Sequence, residues 1–371
     1  MFTTMTLKNV LASLLVFLYI SANAQISHQD VKNTLDGYSK QTDNTALLIY
    51  KSEGEDILKY ATGLADKKNK IPAKTDDLFE IGSASKMFTA VAILKLIEDG
   101  KLSLETPISE FYKKGDILKL GLKDGKNHFN EVTVGMLLNH TSGFIDYLNV
   151  YEDDEKAMEI LAVKGKIYSF DELIDLAVQH GDANFIPGEK FKYCNTGYII
   201  LGDIISKVSK EDWRDYIQKN IFDKANMQNT FFGSRISKEN EKKKMHGHFN
   251  YKPTFMPPSL AGSAGEVVSN LDDLAKFLKA WQGGKLLTPK TTELQRTEGF
   301  HQMYDGFDAL SYGYGIMNLN NFYGHGGQTF GFQTYVTYNP KSNKIYIVAT
   351  NDASVGAMVL FMTLEGLMPE Q

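Results

Sequence analysis

The sequence predicts an α/β (α+β) fold: one antiparallel sheet assembled from both ends of the chain, flanked by terminal helices, with an inserted all-α lobe. Three patterns lead there. β-like runs lie near the start, the stretch from about residue 87 to 285 has apolar residues mostly at helical spacing, and β-like runs return near residue 312. Strands at both ends with helices between them are most simply buried as one sheet carrying a second, helical lobe. Two lobes that share a seam make a cleft.

The elements follow in order. Lys8, the apolar run VLASLLVFLYI at 10–20 and Ala22-Asn23-Ala24 form the three-part pattern of a cleavable export signal, with cleavage expected after Ala24. The apolar run is too short for a membrane span, which takes about 20 residues. No cysteine follows it, so thioether lipid attachment there is excluded. NTALLIYK (44–51) and DILKYATGLA (56–65), separated by EGE, predict a hairpin. MFTAVAILKLIEDG (87–100) predicts a helix ending at Gly100. TVGMLLNH, FDELIDLAVQH, TGYIILGDIISKVS and LDDLAKFLKAWQGG continue the helical pattern. YGYGIMNL, GFQTYVTYN and NKIYIVATND are β-like, with a turn at 339–344, and SVGAMVLFMTLEGLM closes the chain as an apolar helix. The boundaries this gives are a leader over 1–24 and one domain over 25–371. Its sheet lobe spans about 25–86 and 310–371, and its helical lobe about 87–309.

Composition narrows the function classes. A net charge of -5 and short lysine clusters offer no basic stripe, which argues against nucleic acid as a partner. One cysteine, Cys194, allows no internal disulfide. No phosphate loop or dinucleotide fingerprint is present, and no cofactor is expected. His246-Gly247-His248 lacks a third ligand in its pattern, so no metal is expected either.

The chain contains one S-x-x-K, at Ser83-Ala84-Ser85-Lys86. At the start of a helix the two side chains share a face, and the free backbone N–H groups favour negative charge nearby. A serine needs a base to become a nucleophile, and burial can make a lysine neutral enough to serve. Taken alone, the tetrapeptide also fits a capping serine followed by a surface-reaching lysine. Tyr193-Cys194-Asn195 would set a phenol and a carboxamide on one side of a loop. Tyr147-Leu148-Asn149 has the same spacing, but only the Tyr193 copy follows a Pro-Gly and precedes a helix. His325-Gly326-Gly327 stands before an apolar strand, where glycines would let a substrate backbone lie along the edge. The N–H groups of Gln328 and Ser83 could then form an oxyanion hole.

Ser-x-x-Lys, Tyr-x-Asn and His-x-Gly in this order resemble the penicillin-recognising serine hydrolases, and more narrowly their class C β-lactamase-like branch of DD-peptidases, D-amino-acid peptidases and esterases. FEIGSASK, LLNHTSGF, PGEKFKYCNTGY and SAGEVVSNLDDLAKF are similar to the same family, over residues 40 to 360 or so. The resemblance implies a β-lactamase/DD-peptidase-like fold. It implies Ser83 as the acylated nucleophile, Lys86 as its proton partner and Tyr193 as base or proton shuttle. Asn195, His325, Gly326 and Gly327 would contact substrate, with the N–H groups of Ser83 and Gln328 on the oxyanion. His325 stands where β-lactamases of this branch usually carry lysine, and His-x-Gly is commoner among its peptidases and esterases. Cys194 fills a slot usually held by serine, either as a small buried side chain or as a reactive thiol. The expectation is a periplasmic or secreted serine hydrolase acting on D-amino-acid peptides, as a DD-carboxypeptidase would, or on esters. The alternatives are a class C-like β-lactamase and a non-catalytic penicillin-binding or structural homologue. The partner would be a small-molecule or peptide substrate: a peptidoglycan peptide, an ester or a β-lactam.

Overall fold

The computed structural model describes residues 27–367. The leader expected over 1–24 lies outside the described residues. Eight strands form one antiparallel sheet: β1 (Leu47–Glu53), β2 (Asp56–Thr62), β3 (His301–Gln302), β4 (Leu310–Tyr312), β5 (Met317–Leu319), β6 (Phe322–Gln328), β7 (Gln333–Asn339) and β8 (Lys344–Thr350). Their order is β3-β4-β5-β6-β7-β8-β1-β2, so both chain ends meet at the β1–β8 pair, where Leu47 faces Thr350. The expected turns are made by residues that tolerate a left-handed backbone: Gly54 (φ 63°) between β1 and β2, and Asn343 (φ 53°) between β7 and β8.

Both faces of the sheet are covered, which explains why Leu47 to Tyr50 are all buried although strand side chains alternate. Leu47 and Ile49 pack with Val31 and Leu35 of helix α1 (His28–Gln41). Leu48 and Tyr50 face the opposite core, shared with the helical lobe. There α2 (Lys86–Glu98) forms the central spine, with every residue from Lys86 to Leu94 buried. A helix apolar all round belongs inside a protein. Phe88 holds it by edge contacts to Phe222 and Phe277, centroids 5.0 and 4.5 Å away. Helices α3 (Asn195–Ser209) and α4 (Leu271–Gln282) pack around it, and α5 (Ala357–Leu364) covers the outer sheet face with α1. No helix among the described residues is long and apolar enough to cross a membrane.

Short strands such as Val267–Ser269 lie within the span expected to be all-α, and two further local features differ from the sequence reading. β3 lies at 301–302, inside the span assigned to the helical lobe, because two residues carry no period to recognise. The helix expected to begin near Ser83 begins at Lys86; a 3₁₀ turn, Gly82–Ser85, precedes it.

Candidate active site

The strand Phe79–Glu80 pairs with Val267–Ser269 and delivers the chain into the 3₁₀ turn against the edge of β6. Gly82 makes that approach possible. Its φ is +52°, and a Cβ there would lie 2.6 Å from the backbone of Gln328. Ser83 is the only residue between Ile81 and Leu94 that is not buried, so the turn presents its hydroxyl at an opening. Lys86, one turn further, is 0% exposed. Its Nζ lies 3.0 Å from Ser83 Oγ and donates to Asn195 Oδ1 (2.8 Å) and the Ala264 carbonyl (2.9 Å). Burial pulls its pKa down to about 7, against an opposing pull from Asp146. Lys86 therefore loses its proton near neutrality while bonded to the serine.

The Tyr193 ring lies 4.9 Å from Lys86 Nζ, and its hydroxyl is enclosed. Burial pushes that phenol well above its ordinary range, and a hydrogen bond with Ser83 pulls the other way. At neutral pH the Tyr193 phenol is thus protonated. Asn195, expected to meet a substrate amide, has both ends of its carboxamide committed inside the protein. Oδ1 accepts from Lys86, and Nδ2 donates to Asp146 at 2.9 and 3.3 Å.

β5 ends opposite Gly324, so the β6 edge from His325 to Gln328 lies open to the serine turn. Thr329 N–H bonds Phe332, toward β7, and strand N–H groups alternate sides. The Gln328 N–H therefore points away from β7, toward Gly82 and Ser83. Gly326 N–H points to the same side, 3.5 Å from the Met317 sulfur. Gly327 is required for a reason the sequence did not suggest: a Cβ there would meet the Ile81 carbonyl at 1.8 Å. Its missing side chain makes room for the protein's own serine turn. Gly326 carries no such constraint, since a Cβ would meet Tyr335 at 3.6 Å.

His325 departs furthest from expectation. It is 0% exposed, its Nδ1 donates to the Gly326 carbonyl and its Nε2 accepts from Tyr312 at 2.8 Å. Burial holds its pKa down at about 3, so it is a neutral imidazole. Both nitrogens are occupied, and the side chain presents neither a charge nor a free donor to the cleft. Cys194 is buried, its thiol directed at the carbonyls of Phe144 and Ile145 and pushed up to about 12 by burial. It is the small side chain of the two readings, not a reactive thiol. His246 is exposed near Asp66, and His248 bonds the Asn351 carbonyl.

The sequence reading gave no role to two buried residues, His140 and Asp146. His140 brackets Tyr193: its carbonyl accepts from Lys192 N–H, its Nδ1 accepts from Cys194 N–H at 3.1 Å, and its ring lies 4.3 Å from the tyrosine's. His140 lies in LLNHTSGF, whose signal was a family likeness without assigned chemistry, and Asp146 lies two residues beyond that stretch.

A partly exposed serine bonded to a buried, near-neutral lysine and set against an open sheet edge defines a class: the serine hydrolases of the β-lactamase and penicillin-binding fold. The family model described as Beta-lactamase matches residues 31–360, and the chain belongs to that family. It is 28% identical over 306 residues to penicillin-binding protein 4* of Bacillus subtilis (strain 168), covering 80% of this chain but 61% of that protein. The octameric penicillin-binding protein homologue from Pyrococcus abyssi superposes with TM-score 0.77 at 26% identity, covering 91% of this chain and 77% of the other. D-amino acid amidase from Ochrobactrum anthropi SV3, solved with L-phenylalanine amide, superposes with TM-score 0.73 at 24% identity, covering 87% and 91%. At that identity the likeness is one of fold.

Proposed function

We propose that the protein is an exported serine hydrolase that works through an acyl-enzyme on Ser83. Its substrates are D-amino-acid peptides or amides, or esters. The observation that carries this is the 3.0 Å contact between Ser83 Oγ and the Nζ of a fully buried Lys86 that titrates near neutral pH. Neutral Lys86 takes the hydroxyl proton as Oγ attacks the substrate carbonyl. The N–H groups of Ser83 and Gln328 receive the oxyanion. The tetrahedral intermediate collapses, the leaving group departs with a proton from the Tyr193 hydroxyl, and Lys86 returns its proton to Tyr193. Water then repeats the sequence and frees Ser83. Export rests on the N-terminal leader pattern.

The β-lactamase reading is disfavoured by His325. A neutral, fully occupied imidazole offers no cation to a β-lactam carboxylate, or to the terminal carboxylate of a DD-peptide. Amides and esters without that carboxylate fit better, so DD-carboxypeptidase action ranks below amidase or esterase action. The test is a panel of D-amino-acid amides, D-Ala-D-Ala peptides, p-nitrophenyl esters and nitrocefin, run with wild type and Ser83→Ala. Expected are turnover of amides or esters, loss of that turnover in S83A, and a fluorophosphonate adduct on Ser83. Wild-type turnover by S83A would sink the mechanism, and rapid complete hydrolysis of nitrocefin would restore the β-lactamase reading.

A further inference from the structure

A line of buried polar groups runs inward from Ser83 through Lys86 and Asn195 to Asp146. A neutral lysine amine has two N–H donors and one lone pair. Two of the three neighbours of Lys86 Nζ, Asn195 Oδ1 and the Ala264 carbonyl, can only accept. They take both N–H groups and leave the lone pair for the Ser83 hydroxyl. Ala264 is held by backbone, but a carboxamide can rotate. What keeps the Asn195 oxygen facing Lys86 is Asp146, 6% exposed, whose two carboxylate oxygens draw the Nδ2 group to the other side. The other partners of Asp146, Leu148 N–H at 3.0 Å and Asn149 Nδ2 at 2.6 Å, are neutral.

The groups around Lys86 single out Asp146 further. Tyr193 and Tyr198 face its Nζ with their rings at 4.9 and 5.3 Å, and Cys194, His140 and His325 lie nearby. Burial keeps the phenols and the thiol protonated and both imidazoles neutral around pH 7. Among these groups Asp146 is the one carboxyl, and it acts on Lys86 through space.

We propose that Asp146 is a positioning residue for acyl transfer: through the Asn195 carboxamide it aims the Lys86 lone pair at Ser83, and its negative charge stabilises the ammonium that forms. When Ser83 attacks, its O–H bond breaks and the proton joins the Lys86 lone pair. The amine becomes an ammonium with three donors for three acceptors: the Asn195 oxygen, the Ala264 oxygen and the former serine oxygen. A carboxylate behind an orienting group is the logic by which an activated nucleophile is generally supported. This inference rests on the function proposed above.

The experiment compares Asp146→Asn, Asp146→Ala and Ser83→Ala on p-nitrophenyl acetate, following kcat and KM across pH. D146N can still accept from Asn195 Nδ2 but removes the charge. Its acidic limb should move to lower pH by about one unit, and its plateau kcat should fall roughly 10-fold with KM within about twofold. D146A also frees the carboxamide and should lose roughly 10²-fold or more. If S83A is inactive while D146N keeps the wild-type limb and plateau, this inference falls alone. If S83A is fully active, the nucleophile reading falls and takes the inference with it. If D146N does not fold, Asn195→Ala, which cuts the link but keeps the charge, is read instead. A lower kcat at unchanged KM supports the link, and wild-type kcat overturns it.

Discussion

Replacing Lys86 by methionine should abolish activity and, at mildly acid pH, stabilise the fold. A free lysine titrates at 10.5, whereas burial brings Lys86 to about 7. Below pH 7 the side chain is protonated in both folded and unfolded chains, and the folded state carries the whole cost of a buried ammonium. That cost spans about 3.5 pH units at roughly 1.4 kcal/mol each, or about 5 kcal/mol. Between pH 7 and 10.5 the unfolded chain binds the extra proton, so this group's contribution to stability rises with pH. Methionine fills similar space but strands two buried acceptors, Asn195 Oδ1 and the Ala264 carbonyl, at roughly 1–2 kcal/mol each. At pH 6, K86M should therefore exceed wild type by about 2 kcal/mol in urea unfolding. At pH 9 the lysine cost has dropped by about 3 kcal/mol, and the variant should be level with wild type or slightly below it. The difference between the two proteins cancels most other titrations. A difference that is the same at both pH values, or that grows with pH, would refute the buried-amine argument.

The other predictions concern the frame around the serine. Gly327→Ala drives a methyl into the Ile81 carbonyl and should separate β6 from the serine turn, lowering kcat/KM by about 10²-fold and the melting temperature with it. Gly326→Ala meets only ordinary contacts and should melt near wild type; equal melting of the two variants would contradict the packing argument. His140→Ala strands the Cys194 N–H and must hold a left-handed backbone of φ 62°, so urea unfolding should show a loss of about 2–4 kcal/mol. His140→Asn keeps an acceptor and tolerates that backbone, so it should regain about half; no regain would assign the loss to the ring alone. Cys194 should resist iodoacetamide in the native protein and react after denaturation, as intact mass will report; rapid native labelling would contradict its burial.

The fold was legible because its signals are periodic and repeated. The strand runs at each end, the largely apolar α2 and the punctuation at Gly54, Gly100 and Asn343 each report locally what the chain does there. The two-residue β3 and the 3₁₀ turn at Ser83 were missed for a physical reason: neither is long enough to show a period, and both exist only because a neighbour pairs with or presses on them. The glycines of His325-Gly326-Gly327 were recognised as a close approach, but sequence cannot say what approaches. The answer at Gly327 is the Ile81 carbonyl, from almost 250 residues away.

The same distinction governs the chemistry. Ser83 and Lys86 were legible because the spacing that makes them partners is within one turn. Whether Lys86 can act as a base depends on burial, on Asn195 a hundred residues later and on Asp146 behind it, none of which appears in the spacing. His325 shows the converse. Its place in the motif suggested a donor reaching the substrate, but a residue in a motif slot acts on substrate only if its side chain faces the cleft. Here the ring turns inward to Tyr312 and Gly326, and what the position contributes is the absence of a cation where a lysine would supply one. The basicity of Lys86 is set first by burial, against the opposing pull of a carboxylate that touches neither the serine nor the lysine.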